Sequence, residues 1–342
     1  MNKVKKYDWL DILRIISCFA VILLHCSCDA FSVTQGIIGF TIGNFYNSIS
    51  RFCVPIFLMI TGALLLNPSK EIDIKKFTIN KTLRIVIDFV CWCIIYYLFY
   101  TIIIAKDKIT FEGLINSIIN FQFHLWYMKA LIFIYLFLPI VKLITNNHEK
   151  LIKYCIIIFL IFGVLLKSLT LLPLPPCIIN LLNFFRESDS FWYMGYVVLG
   201  YYLFSTDITK NKRLIIYVLG IISLICCFGL NELAYIKFHK MLYLNDYFSI
   251  TTLFYSISIF VFIKYKFKDK SYNEINLRFI GDKTYGIYLI HMMVMYLYEL
   301  LEFSTFSFNF IISIPIMSIS IFIASYIIII IMKKIPIVRK IV

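Results

Sequence analysis

Apolar residues in this chain run in long unbroken stretches instead of alternating with polar ones. Ten stretches stand out: 10–31, 42–66, 83–105, 124–144, 151–171, 190–205, 213–231, 247–265, 284–302 and 309–332. A helix needs roughly 20 mostly apolar residues to cross a bilayer. Lipid satisfies no backbone donor or acceptor, so a spanning segment must be a helix or part of a closed barrel. Barrel strands alternate apolar and polar side chains; these stretches do not. The pattern predicts an all-α, polytopic membrane helix bundle of about ten transmembrane helices, with residues 1–342 forming a single transmembrane domain.

Charge changes the picture by giving the bundle an orientation. With the N-terminus in the cytoplasm, the inner segments hold 23 Lys and Arg and the outer segments hold 5. Cytoplasmic loops characteristically carry this excess, so both termini are predicted cytoplasmic. The net charge of +14 has the same origin. No basic face or binding motif accompanies it, so nucleic acid is not an expected partner. Hydrophobic residues make up 61% and charged residues 15%, against about 45–50% and 25% in soluble domains. That excludes a soluble or disordered chain and names the lipid bilayer as a partner.

Lys3, Lys5 and Lys6 precede the first stretch as they would in a signal peptide. The stretch holds Asp11, Arg14 and His25 and lacks a small-x-small cleavage pattern. It is expected to be a retained span. Tyr7, Trp9, Trp126, Tyr127 and Trp192 lie near span ends and are expected to form an aromatic belt. Segments 106–123 and 172–189 have room for short surface helices, the second made irregular by Pro173, Pro175 and Pro176. Nine of ten cysteines lie in apolar stretches and only Cys177 in a loop. No spacing suggests a disulfide framework or a metal site, and no bound cofactor is expected.

Charged side chains inside a span cost about 2.5–3.5 kcal/mol on insertion scales, and they usually face the bundle interior. The informative residues are Asp11, Arg14, His25, Arg51, Lys129 and His291. Arg14 and His25 are eleven residues apart, about 1100° of helix at about 100° per residue, so they share a face about 16 Å apart. Asp11 lies three residues before Arg14 and can pair with it. An Arg at one end can hold an elongated anionic donor, while a neutral imidazole at the other acts as general base toward a hydroxyl. Arg51 lies near mid-depth and needs a partner or a polar cavity. Pro55 predicts a kink, and Thr61-Gly62 permits close helix approach.

These residues carry a resemblance. Leu10-Asp11 with Arg14-x10-His25 resembles the first span of the acyltransferase 3 family, integral-membrane acyltransferases of bacterial surface carbohydrates. Arg51-x3-Pro55-x-Phe57-x3-Thr61-Gly62 resembles that family's second span, with Thr61 where Ser is usual. His124-Leu-Trp126-Tyr127, Tyr285-x2-Tyr288-x2-His291 and Lys334-Ile-Pro336 resemble three later elements, in order. The resemblance implies acyl transfer across the bacterial cell membrane. The donor substrate would be cytoplasmic acyl-CoA, most simply acetyl-CoA. The acceptor would be a hydroxyl of a surface polysaccharide or its lipid-linked precursor. His25 and Arg14 fall on the family's essential pair and Arg51 on its second functional arginine. Asp11, His124, Trp126, Tyr288 and His291 are candidates for donor or acceptor binding. Lys75, Lys76, Lys81 and Arg84 lie where CoA phosphates would be attracted, though the inside excess of basic residues explains them better.

The competing expectation is a transporter or exporter of a glycan precursor or small solute. Few intramembrane acids and no pair of broken half-helices weigh against it.

Overall fold

The computed structural model describes residues 7–32, 36–67, 73–145, 148–172, 174–184, 189–239, 241–270, 277–336 and 338–342. Lys3, Lys5, Lys6 and Pro173 lie outside the described residues. All regular structure among the described residues is helical. In chain order the helices are α1 (Asp8–Ser27), α2 (Gly36–Ser50), α3 (Cys53–Leu65), α4 (Ile74–Phe77) and α5 (Leu83–Phe99). Next come α6 (Phe111–Ile119), α7 (Trp126–Thr145), α8 (Glu149–Ile158), α9 (Leu166–Thr170) and α10 (Pro176–Phe184). The chain continues with α11 (Asp189–Ser205), α12 (Lys210–Phe238), α13 (Ile250–Phe267), α14 (Leu277–Gly281), α15 (Thr284–Leu300) and α16 (Phe310–Met332).

Eight helical runs among the described residues are long and apolar enough to cross a membrane. Four are composite, one of them Phe123–Thr145, which joins a short 3₁₀ turn to α7. Gly36–Leu65 joins α2 and α3; Lys75–Ala105 and Glu149–Thr170 continue through π-helical turns. Helices α11 and α15, of 17 residues each, occupy the two remaining apolar stretches. The surface helices expected in the two larger outer segments are α6 and α10. Cys177, expected in a loop, lies in the first turn of α10.

The second span differs from its expected form. It begins at Gly36 instead of residue 42, and it breaks at Arg51–Phe52, before the proline. The cause is local. Pro55 has no N–H to donate to the Arg51 carbonyl four residues back, so the ladder is open there. The Tyr255 hydroxyl on α13 bonds the backbone on both sides of the break. It donates to the Ile49 carbonyl at 2.7 Å and accepts from the Phe52 N–H at 3.1 Å.

The aromatic-belt expectation needs correction for two residues. Trp9 and Trp192 are buried; Trp9 packs on Phe204 and Phe260, and Trp192 stacks on Phe162. Both belong to the packed interior. The lipid-facing surface is carried by aliphatic residues, notably Ile312, Ile316, Ile319, Ile323, Ile327 and Ile331 along α16, all exposed.

Two lysines counted among the inner loop charges are structural. The Lys264 ammonium donates to the carbonyls of Leu203, Phe204 and Thr206 at 2.7–2.9 Å. The Lys142 ammonium reaches the Asn67 carbonyl at 2.8 Å. Each thus caps the C-terminal end of a helix, α11 or α3, where unpaired carbonyls and the helix dipole favour a cation.

Helices α3 and α11 make the tightest crossing. A Cβ added at Gly62 would stand 1.8 Å from the Val197 carbonyl oxygen, and one at Gly200 would stand 2.2 Å from the Met59 Cα. Backbones approach this closely only over small residues. Gly62→Val is expected to destabilise the bundle by about 1–3 kcal/mol or more. It would appear as a lower melting temperature in detergent and reduced folded yield. Gly36→Ala, where nothing lies within 4 Å of the new Cβ but φ is +69°, should cost less.

Candidate active site

Helix α1 carries the first polar line. Asp11 is buried, and the Arg14 guanidinium donates to its carboxylate at 2.5 Å. Eleven residues on, His25 sits in the last turn of α1, which ends at Ser27 rather than at 31. Arg14 and His25 line one cavity of about 330 Å³, together with Thr61, Tyr127, Tyr285 and Tyr288. The shared helix face predicted from the spacing is therefore a cavity wall.

At the His25 end three histidines converge from three helical elements. The His25 ring centroid lies 5.2 Å from that of His291, and His291 lies 5.6 Å from His124. His124 is held in the short 3₁₀ turn Phe123–Leu125 that opens α7. The Tyr288 hydroxyl pins this turn by donating to the His124 carbonyl at 2.7 Å. His291 Nδ1 lies 2.6 Å from the Tyr288 carbonyl one turn back, which makes that nitrogen the protonated one. Both ring nitrogens of His124 and Nε2 of His291 are buried without a hydrogen-bond partner. Buried polar groups are nearly always paired, so such orphans mark places a ligand or water completes. No group of three or more His, Cys, Asp or Glu among the described residues is arranged to hold a metal ion.

A second cavity, of about 380 Å³, is lined by Arg51, Lys129 and Asp246 with Phe121, Trp126, Tyr193 and Tyr247. Trp126 and Tyr247 line both cavities and form the partition between them. The Trp126 ring leans on Tyr193 at 5.4 Å and on Tyr247 at 5.6 Å. Arg51 lies 5.3 Å over the Tyr247 ring, a cation–π contact, and its Nε–H donates to Asn47 Oδ1 at 2.9 Å. Asn47 Nδ2 donates in turn to Ser27 Oγ at 3.2 Å, and Asn245 Nδ2 donates to Asn47 Oδ1 at 2.6 Å. Arg51 is thereby tied to the end of α1, two residues beyond His25.

The candidate residues thus divide. Arg14, His25, His124, Trp126 and Tyr288 line the first cavity. Arg51 and Lys129 line the second, away from Arg14. Asp11 lines neither and serves as Arg14's partner; His291 touches the His25 ring from behind. Lys75, Lys76 and Lys81 lie on the helical run Lys75–Ala105, not in a loop. Sequence reasoning missed Tyr247, Asn47 and Asn245. Asn47 carried a signal, since it lies four residues before Arg51 on a helix; Tyr247 and Asn245 carried none, because they come from a segment nearly 200 residues away.

Residues 7–330 match the acyltransferase 3 profile, described as an acyltransferase domain. The chain belongs to the acyltransferase 3 family. No curated protein and no solved structure matches it significantly. The match spans α1 through most of α16, so both cavities lie within the acyltransferase domain. For a membrane acyltransferase, the first cavity offers a cation at one end, an imidazole at the other and apolar walls between. Val21, Leu24, Ile60, Leu64 and Leu131 supply those walls.

The Asp11–Arg14 pair can be tested directly. A charge-assisted hydrogen bond contributes about 1.5–3 kcal/mol, reduced here because Arg14 is 28% exposed. Asp11→Ala is expected to lower acyltransferase activity roughly tenfold while leaving membrane insertion intact. Activity per unit of inserted protein measures the effect.

Proposed function

We propose that this protein is a bacterial cell-membrane O-acyltransferase with ten spans and both termini cytoplasmic. It moves an acetyl group from cytoplasmic acetyl-CoA to a hydroxyl of an exported polysaccharide or its lipid-linked precursor. The observation that carries the reading is that Arg14 and His25 line one cavity, which meets a second, aromatic-walled cavity at Trp126 and Tyr247.

The chemistry follows from the side chains. Arg14, about 16 Å from His25 along α1, binds an anionic part of the donor from the cytoplasmic side. The narrow apolar cavity accepts the donor's extended arm and brings its thioester to the histidines. The acceptor saccharide occupies the second cavity, where Trp126 and Tyr193 offer aromatic faces and Arg51 and Lys129 offer donors. Neutral His25 takes the proton of the acceptor hydroxyl as that oxygen attacks the thioester carbon. The resulting oxyanion accepts a hydrogen bond from His124, whose ring nitrogens have no protein partner. Collapse breaks the C–S bond, and the departing thiolate recovers the proton from His25. His291 holds the His25 ring in place.

The test is acyl transfer in membranes supplied with radiolabelled acetyl-CoA, counting label in lipid-linked and polymeric carbohydrate. His25→Ala is expected to abolish label while inserting normally. His124→Phe should reduce it roughly 10²–10³-fold, the usual cost of losing one oxyanion donor. Undiminished labelling by the His25 variant overturns the assigned base. Substrate movement without donor consumption would instead favour a transporter.

A further inference from the structure

A third cavity, of about 740 Å³, lies at the inner end of α5, away from the two already described. It is lined by Ile79, Leu83 and Ile87 on one side and by Arg84, Lys333, Arg339 and Lys340 on the other, with Asp88 at its wall and the 341–342 tail completing it. The three apolar residues are spaced four apart, so they form one stripe along the helical run, and each is about half exposed. That stripe lies on the outer surface of the helical run, not in the bundle core. The four cations come from two distant parts of the chain, the start of α5 and the segment after α16.

The tail that brings Arg339 and Lys340 there is docked, not loose. The Trp92 indole N–H donates to the Ile341 carbonyl at 2.9 Å, and Val342 is buried. Among the described residues, Asp88 pairs with Arg84 and leaves the other three cations of the cluster without a carboxylate partner. Its carboxylate accepts from the Tyr285 hydroxyl at 3.1 Å and lies 3.9 Å from Arg84. No carboxylate among the described residues pairs with Lys333, Arg339 or Lys340 within 4.0 Å. The Lys333 ammonium donates to the Asp282 backbone carbonyl at 2.8 Å.

We infer that this cavity binds the phosphate headgroup of an anionic phospholipid of the inner leaflet, with the lipid's acyl chain lying along Ile79, Leu83 and Ile87. The inner-leaflet placement rests on the orientation proposed above; the acyl-transfer reading is not needed. The combination is what selects this ligand. Unpaired cations select an anion, and a continuous lipid-facing apolar wall beside them selects one that carries a hydrocarbon chain. Basic pockets at the cytoplasmic ends of spanning helices recognise lipid headgroups in this manner. A soluble phosphate would use the cations and leave the stripe uncovered.

The site also touches the enzyme's chemistry. Asp88 lines this cavity, its partner Tyr285 lines the cavity of Arg14, and the pair forms the wall between them.

The experiment is native mass spectrometry of the full chain purified in neutral detergent and supplied with equal phosphatidylglycerol and phosphatidylcholine. The wild-type protein is expected to retain one phosphatidylglycerol in preference. The triple variant Lys333→Gln, Arg339→Gln, Lys340→Gln should lose that preference by at least roughly tenfold. The triple variant Lys75→Gln, Lys76→Gln, Lys81→Gln, with three exposed residues that do not line the cavity, should keep it. Melting temperatures and size-exclusion profiles establish that each variant is folded; should the cavity triple not fold, Arg339→Gln alone is read the same way. Equal retention by wild type and the cavity variant overturns the inference, as does equal loss in both triple variants. Inorganic phosphate or coenzyme A displacing the bound lipid at micromolar concentration also overturns it, by assigning the cations to a soluble phosphate. Acyl-transfer activity is not part of the readout, so a failed function assay leaves this result interpretable.

Discussion

Hydrocarbon offers no hydrogen bonds and no counterions, so every polar atom within a span must be satisfied by the protein or by what the protein encloses. Helix α1 takes Asp11, Arg14 and His25 into the bundle, and that commits the fold to an interior space. The surrounding hydroxyls show the same constraint. Ser50, Thr61, Ser256 and Ser318 each donate to a carbonyl four residues back on their own helix. Lys142 and Lys264 spend their charge on the carbonyls of helix ends. Among the described residues, His124 is the one whose ring nitrogens are both buried without a partner, and His291 Nε2 lies beside it, so a polar ligand or water is the partner left to them.

The break in the second span is a second consequence of that constraint. Removing the Pro55 N–H frees a backbone carbonyl in a medium that cannot solvate it. Helix α13 places Tyr255 at the break, where its hydroxyl accepts from the Phe52 N–H and donates to the Ile49 carbonyl. At the break, the Arg51 side chain bonds back to Asn47, one turn earlier on α2, and lies over the Tyr247 ring.

The sequence made legible whatever depends on one helix. Continuous apolar runs located the ten helical stretches, because hydrocarbon contact demands unbroken hydrophobicity. The Arg14–His25 face was readable because helical geometry repeats every 3.6 residues. What needed the structure were contacts between helices. His291 meets His25 across 266 residues, and Arg51 joins Lys129 and Tyr247 rather than Arg14. Trp9 and Trp192 were misread for a related reason. Lipid and protein interior are equally apolar, so hydrophobicity near a span end does not tell a membrane anchor from a core side chain. Helix lengths were blurred as well. Helix α12 extends to Lys210–Phe238, past the apolar run on both sides, because its ends are stabilised by backbone bonds that polar residues support equally well.

The partition between the two cavities bears on how a thioester would survive beside an aqueous outer face. In the proposed reaction the acceptor hydroxyl competes with water for the same carbonyl carbon. A cavity of about 330 Å³ with mainly apolar walls holds few waters. Trp126 and Tyr247 stand where water from the second cavity would arrive. Their rings are braced by Tyr193 and by the Arg51 guanidinium. A saccharide ring stacking on the Trp126 face would displace water from that face and extend the dry region to the hydroxyl. In the proposed reaction the aromatic wall would therefore favour transfer over hydrolysis, by being open to a sugar face and costly to wet, without contributing a charged group.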